Sequence, residues 1–128
     1  MRFGALVFLL VAACGNDVEC IEVETNCERL YEPTFDNVFT QTLEAKCGIA
    51  GPCHNAQAAR GGVVYVDADE AYELLVDDGR VVPGDPGCSL LVQRVESTRG
   101  TFVMPPGNML SEQERCSIRQ WVENGAQR

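Results

Sequence analysis

The chain has 128 residues, and its 19 acidic residues outnumber its 10 basic ones, giving a net charge of −9 at pH 7. This charge argues against a nucleic-acid partner, because a phosphate backbone binds basic protein faces. An acidic surface steers a protein toward a basic partner over a long range, or it only keeps the protein soluble.

The first predicted element is an export signal at residues 1–13. Arg2 precedes an apolar run, Ala5 to Ala13, which is too short to span a bilayer and is typical of a secretory signal. The run ends in LVAAC, which resembles a bacterial lipobox, so we expect cleavage before Cys14 and a diacylglycerol on its thiol. An ordinary cleaved signal with a free Cys14 is the alternative. Either way the protein leaves the cytoplasm, and a lipid on Cys14 anchors it in the cell envelope as a periplasmic or outer-membrane lipoprotein.

Residues 14–33 are predicted to form an acidic tether, because the segment after Cys14 lacks helical periodicity. It carries Cys20 and Cys27, which are close enough in sequence to pair locally. With these two, six cysteines follow Cys14 in the sequence: Cys20, Cys27, Cys47, Cys53, Cys88 and Cys116. An even number of cysteines in an oxidising compartment favours three disulfides.

Residues 34–128 form the predicted domain, which is long enough for one modest core. Its first predicted helix is TFDNVFTQTLEAK, in which Thr34 caps an apolar face at helical spacing. The second is DADEAYELLVDD, which opens with a capping box of Asp67 and Glu70 and stops before Gly79. Between them, residues 63–66 favour extended backbone but have no partner strand.

Two further helices are predicted in the second half of the domain. One starts at DPGCSLLVQRV, with Asp85 as cap and Pro86 at the first helical position. The other is SEQERCSIRQWVENG, where Ser111 and Glu114 form a capping box and Gly125 ends the helix. The predicted class is therefore all-α, small and rich in loops.

Five segments follow one another in an order that resembles a known family: CGIAGPCHN, GGVVYV, VVPGDPGCSLLVQRV, FVMPPGNMLSEQE and CSIRQWVENGA. Together they resemble a class I cytochrome c, and more closely the planctomycete-type cytochrome c domain of exported bacterial proteins, over residues 34–126. The resemblance implies a fold in which Trp121 and the last helix pack across the first helix near Phe35 and Phe39. It also implies single-electron exchange with a redox partner protein and no enzymatic activity.

The resemblance also implies roles for three residues. Cys53 would form a thioether to a haem vinyl group, His54 would be the proximal iron ligand, and Met104 would be the distal ligand. The family motif is Cys-x-x-Cys-His, but this chain has Ala50 at the first cysteine position and Cys47 three residues earlier. The expected cofactor is therefore one haem c held through a single thioether.

Two other arrangements of Cys47 and Cys53 remain open from the sequence. The five residues between them, GIAGP, form a flexible turn that would let the two thiols pair as a disulfide. Cys88 and Cys116 would then make the remaining pair, giving a haem-free lipoprotein module with a binding or structural role in the envelope. Alternatively, Cys47 and Cys53 both reach haem vinyl groups across the longer insert.

The four predicted helices carry few apolar side chains, so these side chains alone would leave the core incompletely filled. In the cytochrome c reading, a porphyrin occupies the centre of the domain. In the haem-free reading, aromatic side chains must fill a space of roughly several hundred Å³. The candidates are Phe35, Phe39, Tyr65, Tyr72, Phe102 and Trp121.

Overall fold

The structure, a computed structural model, describes residues 19–49 and 53–128. Within these ranges the chain forms four helices joined by long loops, and no described residue belongs to a β-strand. The predicted all-α class is therefore confirmed for this part of the chain. The predicted signal peptide at residues 1–13 and the predicted lipidation site, Cys14, lie outside the described residues.

The first helix begins where the sequence predicts, because the Thr34 hydroxyl accepts a hydrogen bond from the backbone of the first turn. Helix α1 covers Phe35–Val38 and continues directly as a π-helical segment, Phe39–Gly48. The helix thus runs past its predicted end at Lys46 and includes Cys47. Its apolar face is buried in the core through Phe35, Val38, Phe39 and Leu43.

The second helix is capped by Asp67, which is one half of the predicted capping box. Helix α2 covers Ala68–Tyr72 and continues as a π-helical segment, Glu73–Asp77. The Asp67 carboxylate accepts two hydrogen bonds from backbone N–H groups of the first turn. Gly79 follows with a φ of 75°, the left-handed conformation that commonly ends helices.

The third helix begins later than predicted. Helix α3 covers Leu90–Glu96 with Ser89 at the N-cap position, whereas the sequence predicts a start at Asp85. Asp85 instead closes a turn, in which its carboxylate accepts a hydrogen bond of 3.1 Å from the backbone N–H of Cys88. The predicted cap at Asp85 is therefore wrong for the helix, although its side chain does bind backbone.

Contacts from distant parts of the chain explain the later start of α3. In a helix that began at Pro86, the carbonyl of Gly87 would accept the N–H of Leu91. In the structure, the N–H of Ile21 donates to the Gly87 carbonyl at 3.1 Å. The N–H of Leu91 donates instead to the carbonyl of Arg80 at 3.2 Å. A side chain at position 87 would collide with the Ile21 carbonyl, so glycine allows this close approach.

The fourth helix, α4, covers Glu112–Glu123 and begins with the predicted capping box. The Ser111 hydroxyl accepts the N–H of Glu114, and the Glu114 carboxylate accepts the N–H of Ser111. The Trp121 side chain is buried in the core, and its ring centroid lies 5.5 Å from that of Phe35. The last helix therefore packs on the first, as the resemblance implies.

The predicted disulfide pairing is wrong. The structure joins Cys20 to Cys88 and Cys27 to Cys116, rather than Cys20 to Cys27 and Cys88 to Cys116. Cys47 and Cys53 are free thiols, so the alternative disulfide between these two is contradicted as well. All six cysteines are thereby accounted for as two long-range disulfides and two thiols.

Residues 19–33 lie along the domain, which explains the pairing. The hydrogen bond between Ile21 and Gly87 brings Cys20 to the turn that holds Cys88. Further along, the Gln120 amide donates to the carbonyl of Cys27 at 3.1 Å and so places this segment on α4, one turn after Cys116. The segment contains no helix, as predicted, but it is attached to the domain at several points.

None of the described helices is both long and apolar enough to cross a membrane.

Candidate functional site

The domain contains a cavity of 530 Å³ between the end of the first helix, the loop that follows it, α3 and the loop before α4. This volume is within the range of about 300 to 1,000 Å³ that is typical of cofactor pockets. Seven aliphatic residues line it: Leu43, Val63, Leu75, Leu90, Leu91, Val95 and Leu110. The aromatic residues proposed as core fillers leave this space open, because Phe35 and Trp121 pack elsewhere and Phe102 is 40% exposed.

The cavity brings together the three residues predicted to hold a cofactor. Cys53, His54 and Met104 all line it, although Met104 is distant in sequence from the other two. Met109, the other downstream sulfur, is 41% exposed and does not line the cavity. Cys47 lines it too, so both free thiols and the only imidazole of the chain share one space.

The ring of His54 is held by the loop that it begins. Its Nδ1 lies 3.2 Å from the carbonyl oxygen of Val63, which can only accept a hydrogen bond. Nδ1 therefore carries the proton, and the lone pair is on Nε2. The backbone of His54 is fixed as well, since its carbonyl accepts the N–H of Tyr65 at 2.9 Å.

Met104 is held by a connection to α3. Its backbone N–H donates to the carbonyl of Arg94 at 2.9 Å, which fixes the loop against the last turn of that helix. Val103 beside it is buried, and Pro105 and Pro106 after it also line the cavity. The thioether of Met104 is thus carried by a restrained loop, as the two prolines in the sequence suggest.

Cys47 lies in the last turn of the first helix, where Gly48 packs against the backbone of Tyr65. A side chain at position 48 would collide with the Tyr65 carbonyl, so only glycine lets the two segments meet. Burial raises the pKa of the Cys47 thiol to about 11, against the opposing effect of the Lys46 charge. The thiol is therefore protonated at neutral pH. Burial also raises the pKa of the Tyr65 hydroxyl, which stays neutral beside it.

The described charged side chains that line the cavity are all basic. Among the described residues that line the cavity, four are basic and none is acidic: Lys46, Arg60, Arg80 and Arg94. Arg80 is oriented by hydrogen bonds to the carbonyl of Leu74 at 2.9 Å and to Asp78 at 3.2 Å. Arg94 lies over the ring of Phe102 at 3.8 Å. In a protein with a net charge of −9, such a grouping favours a ligand that carries carboxylates.

The donor set fits a haem. Its iron takes most of its ligands from the porphyrin, so the protein must supply only axial donors, and imidazole with thioether is an established pair. The apolar lining suits the porphyrin face, and the basic residues suit its propionates. A bare metal ion fits less well, because no group of three or more His, Cys, Asp or Glu among the described residues could hold one.

Sequence reasoning missed the basic residues of the site. Arg80 and Arg94 carry no motif, and each looks like an ordinary solvated side chain in its local sequence. Arg94 could have been found from helical spacing, because it lies one turn after Leu90 and Leu91, which also line the cavity. Arg80 could not, since it follows Gly79 in a loop.

One family model matches part of the chain. Residues 52–108 match the family model described as Planctomycete cytochrome C, and this span includes Cys53, His54 and Met104. The match supports a planctomycete-type cytochrome c-like domain over these residues. No curated protein and no solved structure matches the chain significantly.

Proposed function

We propose that this protein is an exported electron-transfer lipoprotein whose domain binds one haem c. Cys53 would attach the haem through a thioether, His54 would be the proximal ligand and Met104 the distal ligand. The observation that carries the proposal is the shared cavity: the only histidine of the chain, its Nδ1 bonded to a carbonyl, lies with Met104 and the Cys53 thiol around one apolar space.

When bound, the haem supplies an iron that gains and loses one electron, and the protein residues tune this exchange. The hydrogen bond from His54 to the Val63 carbonyl orients the imidazole and increases its basicity. The thioether of Met104 would favour the reduced iron and so raise the potential. The aliphatic walls would limit the access of water, and Arg80 and Arg94 would balance the negative charge of the propionates.

Cellular placement follows from the N-terminal sequence. Cleavage before Cys14 and lipidation of its thiol would anchor the domain to a membrane of the cell envelope. The excess of acidic residues would favour a basic redox partner, since opposite charges speed the encounter of two proteins. The role is electron transfer, with no bond chemistry of its own.

The absorption spectrum of the protein isolated from its own host tests the proposal. We expect a red protein with a Soret band, and a haem that stays with the polypeptide under denaturing conditions because a thioether holds it. A colourless protein, from cells that attach haem to their other cytochromes c, would refute the proposal. It would leave a haem-free module that the two disulfides stabilise.

A further inference from the structure

We propose that Cys47 is a second haem-attachment residue, so that the segment CGIAGPCH holds the haem through two thioethers across an insert of five residues. This inference rests on the proposed haem function. It deepens that function because only Cys53 matches a cysteine of the family motif, while Ala50 stands at the other position. Cys47 also lies outside the span that matches the family, residues 52–108.

The first observation is the state of the cysteines. The disulfides use Cys20, Cys27, Cys88 and Cys116, and they leave Cys47 and Cys53 as free thiols. Both thiols line the same cavity as His54. In an oxidising compartment two free thiols in one space would ordinarily pair or react. Attachment of both to one cofactor removes this hazard and leaves no unpaired thiol in the domain.

The second observation is how firmly Cys47 is positioned relative to His54. Gly48 packs against the Tyr65 carbonyl, and the Tyr65 N–H donates to the carbonyl of His54 at 2.9 Å. The His54 ring is held in addition by the carbonyl of Val63. Cys47 is therefore placed by the same backbone contacts that place the imidazole, as an attachment residue must be.

The other side of Cys47 is anchored to α4. Lys46 forms an ion pair with Glu114, whose side chain is only 4% exposed. The helix ends in π-helical geometry, which is commonly found at functional sites. Cys47 thus lies between two fixed neighbours, with its side chain in the cavity lining.

The chemistry requires no oxidant or reductant. Each thiol adds across the double bond of one vinyl group: sulfur bonds to the carbon next to the porphyrin ring, and the thiol hydrogen goes to the terminal carbon. Two thiols and two vinyl groups give two thioethers, with no change in oxidation state.

Peptide mass spectrometry of the full-length protein from its own host tests the inference. Trypsin cleaves after Lys46 and Arg60, so one peptide contains Cys47, Cys53 and His54 and none of the disulfide cysteines. After alkylation under denaturing conditions, we expect this peptide to carry haem and no alkyl group. A peptide with haem and one alkylated cysteine would overturn the inference but leave the proposed function intact. A peptide without haem would overturn both.

Variants provide a second readout. In Cys47→Ala we expect haem that is still covalently bound, with the α band of its pyridine haemochrome at longer wavelength, because an unreacted vinyl group extends the conjugation. Cys53→Ala should give the same shift, and the double variant should lose covalent haem. An unshifted α band in Cys47→Ala would show that Cys47 forms no thioether.

Discussion

The Nδ1 atom of His54 lies 3.2 Å from the carbonyl oxygen of Val63, nine residues further along the chain. This bond closes the loop after the first helix onto itself and leaves Nε2 as the ring nitrogen with a free lone pair. Val63 has extended backbone, with φ of −118° and ψ of 131°, and follows the 3₁₀ turn Arg60–Gly62. The fold of this loop therefore sets the tautomer of the imidazole.

Replacement of His54 with alanine tests the proposed proximal ligand. We expect the low-spin absorption bands to disappear, while haem stain on a denaturing gel persists because thioether bonds do not depend on the imidazole. Gln57→Ala, at an exposed position in the same loop, serves as the control. An unchanged visible spectrum in His54→Ala would refute the ligand assignment.

Met104 and Met109 form a matched pair for testing the distal ligand. Met104→Ala should retain haem but lower the midpoint potential, by a measurable fraction of the roughly 0.8 V over which axial ligands tune haem. Met109→Ala should leave the potential unchanged, because this side chain lies outside the cavity. Potentiometric titration measures both variants. Equal potentials for Met104→Ala and the wild type would show that the thioether does not bind the iron.

The helices could be predicted from the sequence because their signals are local. Thr34, Asp67 and Ser111 cap their own first turns, and each cap acts within three residues of its position. The one misplaced start, at Asp85, is the place where a distant residue intervenes. The N–H of Ile21 donates to the carbonyl of Gly87, which a helix beginning at Pro86 would use for its own hydrogen bond. Nothing in the local sequence indicates this contact.

The site could be predicted in part, for the same reason. Cys53 and His54 are adjacent, so their motif is visible, and the resemblance supplied Met104. The disulfide partners and the basic lining depend on contacts between distant segments. The paired cysteines are 68 and 89 residues apart in the sequence. No local sequence pattern indicates which of these distant cysteines pair.

Substitution of Arg80 tests whether the basic residues that line the cavity affect the midpoint potential of the proposed haem. Loss of a positive charge near a haem favours the more positive, oxidised iron, so Arg80→Gln should lower the midpoint potential by on the order of tens of millivolts. The shift should shrink at high ionic strength, to the extent that solvent screens the site. Arg99→Gln, an exposed cation that does not line the cavity, is the control. Identical potentials for the two variants would contradict this role.

The disulfide between Cys27 and Cys116 should be a main source of stability. It closes a long loop, so the double variant Cys27→Ala, Cys116→Ala should lose roughly 2 to 5 kcal/mol of the free energy of unfolding. Denaturant titration measures the loss. The corresponding Cys20→Ala, Cys88→Ala variant tests the other bridge. Non-reducing peptide maps that join Cys20 to Cys27 would contradict the pairing itself.

The Glu114 carboxyl should make stability depend on pH in the acid range. Burial on its own would raise its pKa, but hydrogen bonds from Lys46 and Ser111 outweigh burial and hold the pKa below its ordinary value. A carboxyl with a lower pKa in the folded state stabilises the fold above its unfolded pKa of about 4.3. That contribution is lost as the pH falls through the lower, folded pKa.

Glu114→Gln should therefore lower the free energy of unfolding near neutral pH by about 1 to 2 kcal/mol, because the ion pair and part of the cap are lost. The gap from the wild type should stay constant down to about pH 5 and narrow at lower pH. Denaturant titrations over a pH series measure it, and Glu73→Gln, an exposed site on the second helix, controls for the loss of one negative charge. A gap that widens in acid would show that the Glu114 pKa is raised in the folded protein, and that Lys46 does not hold this carboxylate ionised.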